Sequence, residues 1–368
     1  MSRPPSTPLP WTPIRAADTP PGAALDSRPP SKAEIVFDYA KSVFERAAST
    51  ATLPVSFRLA GRIVRLKFAS EALRSAFTPA FAHLEPAGDG AADLTVFCWD
   101  DASSGQVLAE PEVGAGRSGV EYVDGPVRIA WEPEQRHFSA FSIPKRLALL
   151  RTPDAETLPS WERAAPLRRV LHWWASDQGL QLVHAAALGD SDGGVLLVGP
   201  GGSGKSTTAL ACIGSSIGYA GDDYCLISLD GSPRVHALYG SGKADGDSVA
   251  RLPNLKAAFA ASTLQGEGKS VIFAAKEAMV GSFPLRAIVA PKVAPDTAGR
   301  LDPLSKAEAL RAVAPTTLFQ MPGDRRESLS RLTALVRDLP CWRLSVGRDP
   351  AAAQSLLKSL FATGRPEA

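Results

Sequence analysis

Residues 194–210 read Gly194-Val-Leu-Leu-Val-Gly-Pro-Gly-Gly-Ser-Gly-Lys-Ser-Thr-Thr-Ala-Leu210. Gly199, Gly204, Lys205 and Ser206 fit the pattern G-x-x-x-x-G-K-[ST], and the context is the one that this pattern needs. An apolar strand precedes it and a helix-forming run follows it. Glycines let the backbone curl so that successive N–H groups point into one anion-binding concavity at the start of a helix. The stretch therefore predicts a nucleoside triphosphate site in an α/β domain.

The side chains of this stretch are of the types that ATP with Mg²⁺ requires. Lys205 supplies a point charge for the β- and γ-phosphates, and the Ser206 hydroxyl supplies a hard oxygen ligand for the metal. The remaining predicted nucleotide contacts are Gly199, Gly201, Gly202, Ser203, Gly204 and Thr207. A glycine-rich turn that binds nothing is the alternative, and the strand, the four loop glycines and the Lys-Ser pair together disfavour it.

A pair of carboxylates is predicted to return to the same loop. A helix over 205–216 leads about 18 Å away at 1.5 Å per residue, and an extended segment over 217–221 returns about 17 Å. Asp222 and Asp223 follow directly. One carboxylate can bind Mg²⁺ while the other accepts a proton from an incoming hydroxyl. An ordinary turn is the alternative interpretation of an Asp-Asp pair.

A histidine is predicted to lie near the phosphates. A short Gly/Asp-rich turn joins the strand-like run 180–188 to the apolar strand that precedes Gly199, and such a turn indicates an antiparallel hairpin. Pairing of Leu188 with Val195 would place His184 opposite Gly199. A buried structural histidine is the alternative.

Composition limits the classes of function. The chain has 368 residues and 45% hydrophobic content, enough for two domains. A net charge of +2 gives no electrostatic case for nucleic acid or a membrane surface as a partner. Four scattered cysteines indicate a reducing compartment rather than disulfides or zinc. Since no long apolar run or signal sequence is evident either, we expect a cytoplasmic protein.

The expected organisation has three parts. Residues 1–33 are rich in Pro, Ser and Ala and are predicted to be disordered. Residues 34–160 read as a smaller, sheet-rich α+β domain with a first helix near 34–48 and alternating strands. Residues 161–368 read as the catalytic domain, an α/β fold with a mixed β-sheet. It begins with a helix after Pro166, and His172 lies off the apolar stripe of this helix, so it is expected to be a surface or interface residue rather than a ligand.

Three segments resemble one family. Leu182-Val-His-Ala185, the glycine loop and Tyr219-Ala-Gly-Asp-Asp223 resemble, in this order, the catalytic domain of HPr kinase/phosphorylase. That family belongs to the phosphoenolpyruvate-carboxykinase-like P-loop group, whose core is a mixed sheet. It includes bacterial kinases that phosphorylate a serine, some of them on precursors of lasso peptides. The runs 236–243 and 315–320 look like segments of the shorter relatives, so the resemblance covers roughly residues 180–345.

The resemblance implies roles for individual residues. Lys205 and the loop amides would hold the phosphates, and Ser206 would bind magnesium. Asp222 would act as the base for the acceptor hydroxyl, with Asp223 on the magnesium side. His184 would steady the acceptor or the transferred phosphoryl group. No counterpart of the family's second signature, a Glu in an Arg-Gly-rich stretch, is evident, so the resemblance does not extend to the phosphorylase reaction or to HPr as acceptor.

Lys243 follows Gly240-Ser-Gly242 and is predicted to lie in a flexible loop that closes over the phosphates and stabilises charge during transfer. A solvated loop lysine is the alternative.

Three functions fit these observations. The first is a kinase that transfers the γ-phosphoryl group of ATP to a Ser/Thr hydroxyl of a peptide or small protein. The second is a nucleotide-driven switch or motor, although the chain has neither an N-K-x-D nor an L-S-G-G-Q motif. The third is a non-catalytic adaptor that binds a peptide through the amino-terminal sheet. The family resemblance is also compatible with a homo-oligomer.

Overall fold

The computed structural model describes residues 29–48, 52–111, 119–246, 252, 255, 263–264, 269–294, 299–320, 325–347 and 350–366. They form two compact units. The first consists of Met1–Phe57, Arg62–Ala76 and Pro86–Leu158, and the second of Arg58–Gly61, Phe77–Glu85 and Pro159–Ala368. The segment predicted to be disordered lies outside the described residues as far as residue 28. Among the described residues, no helix has the length and apolar character needed to cross a bilayer.

The first unit contains a seven-stranded mixed sheet with the strand order β1-β2-β3-β7-β6-β5-β4. Its elements are α1 (Lys32–Ala47), β1 (Leu53–Leu59), β2 (Arg62–Phe68), α2 (Glu71–Phe77), β3 (Leu94–Asp100), α3 (Asp101–Ser104), β4 (Val120–Asp124), β5 (Val127–Glu132), β6 (His137–Ser142) and β7 (Leu147–Thr152). Strand β3 runs parallel to β2 and β7, and β4 to β7 form an antiparallel meander.

Helix α1 covers one face of this sheet. Its start is fixed by a capping box, in which Ser31 and Glu34 each bond the other's backbone N–H. Apolar residues then recur three or four positions apart, so they form one buried stripe. Phe44 of this stripe packs against Phe97 and Trp99 of β3. Helix and sheet thus bury a common core.

The second unit has an α/β architecture around a nine-stranded mixed sheet. Its elements are α4 (Ser160–Ala164), α5 (Arg168–Asp177), β8 (Leu180–Val183), β9 (Ala186–Gly189), β10 (Gly194–Leu197), α6 (Lys205–Ala211), β11 (Gly218–Gly221), β12 (Cys225–Ser228), β13 (Arg234–Ala237), β14 (Ser241–Ala244), β15 (Thr263–Leu264), β16 (Ser270–Phe273), β17 (Ser282–Val293), β18 (Arg300–Pro303), α7 (Lys306–Gln320), α8 (Arg325–Asp338), β19 (Cys341–Val346) and α9 (Pro350–Lys358).

The sheet runs β11-β9-β10-β17-β13-β12-β8, with β19 and then β18 added beside β17. Strand β17 is parallel to β10 and β19, whereas the other pairs are antiparallel. Because side chains alternate along a strand, Val195 and Leu197 face one core with α6 and α9, while Leu196 and Val198 face another with α7 and α8. Helices therefore cover both faces of the sheet. Strands β14, β16 and β15 form a separate small sheet.

Two local predictions were wrong. The run 180–188 is two strands rather than one, because the chain leaves β8 at Val183 and re-enters a different part of the sheet at Ala186. His172, expected on the surface, is 4% exposed. Helix α5 is buried from Val170 to Ala175, around more of its circumference than the predicted stripe.

Candidate functional site

The glycine loop, defined here as residues 199–204, connects β10 to α6. Its backbone requires glycine at three positions, since φ is +148° at Gly199, +78° at Gly202 and +100° at Gly204. A Cβ on Gly199 would also lie 2.9 Å from the Ser203 hydroxyl oxygen. Helix α6 starts at Lys205, immediately after this curl. The predicted strand, loop and helix are therefore all present, and Leu188 pairs with Val195 as expected.

Lys205 is folded back over the loop and is only 6% exposed. Its Nζ donates to the carbonyl oxygens of Gly199 at 2.6 Å and Pro200 at 3.1 Å. Burial lowers the pKa of its ammonium group, and the charges of Asp222 and Asp223 oppose that decrease. The lysine is held by neutral carbonyls rather than by a carboxylate ion pair, so its charge is available to an anion.

Two connections between strands at opposite ends of the sheet run side by side, and together they bring His184 close to Asp223. One connection lies between β8 and β9, and the other between β11 and β12. The backbone N–H of Ala185 donates to the carbonyl oxygen of Asp223 at 3.1 Å. The backbone N–H of His184 donates to the Thr317 hydroxyl of α7 at 3.1 Å. As a result, His184 Nε2 lies 3.9 Å from Asp223 Oδ1.

The two aspartates occupy different environments. Asp222 is 1% exposed. Burial, followed by the neighbouring charge of Asp223, raises its pKa to about 7, while the Lys243 backbone and the Ser206 hydroxyl partly oppose the rise. Burial by itself would raise the pKa of Asp223. The Lys243 ammonium group outweighs burial, with smaller contributions from His184 and Lys205, so the pKa is lowered. Asp223 is therefore the more fully ionised of the two carboxyl groups at neutral pH.

Lys243 contacts both carboxyl groups. Its Nζ lies 2.5 Å from Asp223 Oδ2, and its backbone N–H donates to Asp222 Oδ2 at 3.1 Å. The prediction of a flexible loop is wrong here, because Lys243 belongs to β14, which pairs with β16. A strand that is hydrogen-bonded along its length fixes the backbone of this lysine beside the aspartates.

His184 is neutral at physiological pH. Burial lowers the pKa of its imidazole to about 4; Asp223 opposes this decrease, whereas Lys205, Lys243 and Arg168 add to it. The ring packs against Tyr224 at a centroid distance of 5.2 Å. Its Nδ1 is buried and has no hydrogen-bond partner among the described residues. The side chain can therefore orient a neighbouring hydroxyl or oxygen without carrying a charge.

These groups line a cleft of about 350 Å³. The predicted site residues that line it are His184, Gly201, Gly202, Gly204, Lys205, Ser206, Thr207, Asp223 and Lys243. Three other predicted residues, Gly199, Ser203 and Asp222, are not among the residues that line it. Sequence reasoning missed Asp245, Lys269 and Val293, which also line the cleft. Lys269 directly precedes β16, and only the pairing of β16 with β14 brings it there, so no local sequence pattern indicates it.

Whether a Mg²⁺ ion fits this cleft depends on the oxygen ligands that the described residues offer. Asp222 Oδ1 is buried and, within the described ranges, has no partner in hydrogen-bond geometry, although the Ser206 hydroxyl is near enough to lower the pKa of the carboxyl group. Among the described residues, no group of three or more His, Cys, Asp or Glu side chains could hold a metal. A hydroxyl and one carboxylate oxygen fit a Mg²⁺ ion whose remaining ligands are water and phosphate oxygens.

Comparison with known proteins adds little to this geometry. No protein-family model and no curated protein matches the chain. Among solved structures, it is similar to the Hpr(Ser) kinase/phosphatase from Coxiella burnetii, with 19% identity and a TM-score of 0.21, over 32% of this chain and 61% of that chain. The match thus covers less than two thirds of that protein, and a likeness this weak carries no argument. The family resemblance of the motifs stays a prediction.

Proposed function

We propose that this chain is an ATP-dependent, Mg²⁺-dependent kinase that phosphorylates a Ser or Thr hydroxyl of a peptide or small protein. The observation that carries the proposal is the position of Asp223. This ionised carboxylate lines the same cleft as Lys205 and the glycine loop, next to a neutral histidine. A phosphate cradle facing a carboxylate is the arrangement that phosphoryl transfer to a hydroxyl requires.

On the donor side, the loop amides and Lys205 would hold the phosphates. Ser206 and Asp222 would hold Mg²⁺, which supplies charge compensation on the phosphate oxygens when bound. The supporting observation is the buried Asp222 Oδ1, which has no hydrogen-bond partner among the residues that the structure describes. Thr207 would complete the donor site at the start of α6.

On the acceptor side, the two aspartates take roles opposite to those that the family resemblance implied. Asp222 was expected to be the base, but it is almost fully buried, whereas Asp223 lines the cleft. In the proposed reaction the acceptor hydroxyl gives its proton to Asp223, its oxygen bonds to the γ-phosphorus, and the bond to the β–γ bridging oxygen breaks. His184 orients the hydroxyl, and Lys243 offsets the charge that develops during transfer.

A reducing cytoplasm is the compartment that we propose for this reaction. All four cysteines, at positions 98, 212, 225 and 341, are free and buried, as expected where thiols are kept reduced.

The proposal is tested with γ-labelled ATP, Mg²⁺ and a set of Ser- and Thr-containing peptides, with mass spectrometry to detect the added phosphate. We expect Asp223→Asn to lower kcat by about 10²- to 10⁴-fold while nucleotide binding persists, because it removes the base and its ion pair with Lys243 but leaves the glycine loop and Lys205 unchanged. Asp222→Asn should instead weaken the Mg²⁺ dependence of nucleotide binding. Arg337→Gln is the matched surface control, since its ion pair with Asp338 is exposed.

Nucleotide hydrolysis without transfer to any acceptor would favour a switch or motor instead. If the folded wild-type protein binds no nucleotide at all, the non-catalytic adaptor is favoured.

A further inference from the structure

A second lysine of the small sheet lines the cleft beside Lys243. Strand β14 pairs antiparallel with β16, and Lys243 lies opposite Val271. Lys269 precedes Val271 by two residues, so it is the diagonal neighbour of Lys243 on the same face of the strand pair, at a spacing of about 7–8 Å. Both lysines line the cleft. The pairing of β14 with β16 thus adds to the cleft a cation that lies outside the glycine-loop pattern.

The opposite face of the strand pair holds it in place. Ala244 of β14 and Ile272 of β16 belong to the hydrophobic core that also contains Leu210 of α6. Because side chains alternate along a strand, Lys243 and Lys269 project from the other face. The side chain of Lys269 is exposed. It can therefore be changed without disturbing the packing that positions the two strands.

The charges that line the cleft suit an anion. Three lysines line it, at positions 205, 243 and 269, against two aspartates, at positions 223 and 245. His184 also lines the cleft, and burial keeps its imidazole neutral by lowering its pKa to about 4. Even with both carboxyl groups ionised, the lining carries a positive charge.

Lys269 also lies close to the lysine of the glycine loop. Burial is the main cause of the lowered pKa of Lys205, and the charge of Lys269 adds to that decrease. Two ammonium groups that face the same space repel each other, and an anion that contacts both removes this repulsion. A chain of phosphates can contact both groups, because its negative charge is spread over several oxygens.

The neighbours of Lys269 indicate which phosphate it would contact. Lys243, on the same face of the small sheet, binds Asp223, the proposed base. A base that takes the proton of the acceptor hydroxyl must lie next to the γ-phosphoryl group. Lys205, the other neighbour, is expected at the β- and γ-phosphates. The phosphate that both neighbours share is the γ-phosphate.

We propose that Lys269 binds the γ-phosphate of the nucleotide, so that this lysine makes the site prefer a nucleoside triphosphate to the diphosphate. An ammonium group on a flexible four-carbon stem suits a phosphate that changes position during transfer. The inference rests on the proposed kinase function and deepens it, since a kinase must bind the triphosphate and release the diphosphate.

The test compares two nucleotides by isothermal titration calorimetry on the full chain with Mg²⁺, at one fixed ionic strength. The nucleotides are a non-hydrolysable ATP analogue and ADP, which differ by the γ-phosphate. We expect the wild-type protein to bind the ATP analogue more tightly than ADP. Lys269→Met should weaken binding of the analogue about five- to tenfold, as for one charge-assisted hydrogen bond, and binding of ADP less than about twofold.

Lys292→Met is the matched control. Lys292 is also an exposed lysine, and it directly precedes Val293, which lines the cleft, but it is not itself among the lining residues. Its removal takes the same charge from the neighbourhood without removing a contact, so both affinities should stay within about twofold of wild type. Lys269→Arg should keep most of the preference, because it keeps the charge.

Four results overturn the inference. In the first, the wild-type protein has no preference for the triphosphate analogue. In the second, Lys269→Met weakens both nucleotides equally, which would place the lysine at another phosphate. In the third, Lys269→Met binds both as the wild type does. In the fourth, Lys292→Met has the same selective effect as Lys269→Met.

The two proposals fail separately when phosphate transfer from ATP to peptides is measured in parallel. Peptide phosphorylation by the wild type, with an unchanged triphosphate preference in Lys269→Met, removes the γ-phosphate contact and leaves the kinase. A selective loss of affinity for the ATP analogue in Lys269→Met, without phosphorylation of any peptide by the wild type, removes the kinase and leaves the contact. If the wild type binds neither nucleotide, both proposals are wrong.

Discussion

Asp222→Asn should make the protein more stable at alkaline pH while it impairs the site. Burial raises the pKa of Asp222 from 3.8 to about 7. The folded state therefore binds a proton more tightly than the unfolded chain, and ionisation of this carboxyl group opposes folding. That penalty is absent below pH 4, develops as the pH rises, and is complete above pH 7. Asparagine resembles the neutral, protonated acid and cannot ionise, so the variant does not carry this penalty.

The magnitude follows from the pKa difference. The pKa differs by about three between the folded and unfolded states, and at roughly 1.4 kcal/mol per pKa unit the ionisation penalty is at most roughly 4 kcal/mol. The asparagine oxygen can still accept from the Lys243 N–H, but its amide NH₂ replaces a buried oxygen for which the described part of the chain offers no hydrogen-bond partner. Leaving that donor unpaired costs about 1–2 kcal/mol. We expect a net gain of about 2 kcal/mol at pH 8 and a small loss at pH 4.5.

The assay is urea unfolding of wild type and variant at pH 4.5, 6, 7 and 8, with the free energy of unfolding compared at each pH. Asp338→Asn is the control, because this exposed carboxyl group has its pKa lowered by Arg337 and stays ionised from pH 6 to 8. Its effect should not change over that range. If Asp222→Asn is destabilising by the same amount at all four pH values, the assignment of a buried, raised carboxyl group is refuted.

Three further changes test other parts of the structure. Lys205→Met should weaken binding of a fluorescent ATP analogue about 10- to 100-fold by removing a charge-assisted contact, and unchanged affinity would contradict its role. Gly242→Ala should cost about 1–3 kcal/mol of stability in thermal unfolding, because a Cβ there would lie 2.6 Å from the Leu210 side chain. Gly246→Ala, with open space around it, is the control and should have little effect. Arg151→Met should cost about 3–5 kcal/mol in urea unfolding, since it leaves the carboxylate of Asp101, whose side chain is 10% exposed, without the fully buried arginine that it pairs with.

Local pattern was sufficient for the glycine loop and its flanking elements. A strand, a curl that requires glycine, and a helix that begins at Lys205 all depend on neighbours in sequence, and sequence reasoning reached them. The same holds for the antiparallel pairing of Leu188 with Val195, because a short turn fixes the register. The return of the chain at Asp222 was predicted from a helix over 205–216 and a strand over 217–221, but the helix ends already at Ala211 and the strand begins at Gly218, so those lengths were wrong.

What the sequence by itself determined is thus the residue types at the site and their order along the chain. Only the tertiary structure decided which aspartate faces the cleft, that Lys243 lies on a strand, and that Lys269 lines the cleft. Burial and long-range strand pairing set these features. Both arise from contacts between residues far apart in sequence, so the pKa difference between Asp222 and Asp223, adjacent residues of the same type, is a property of the fold.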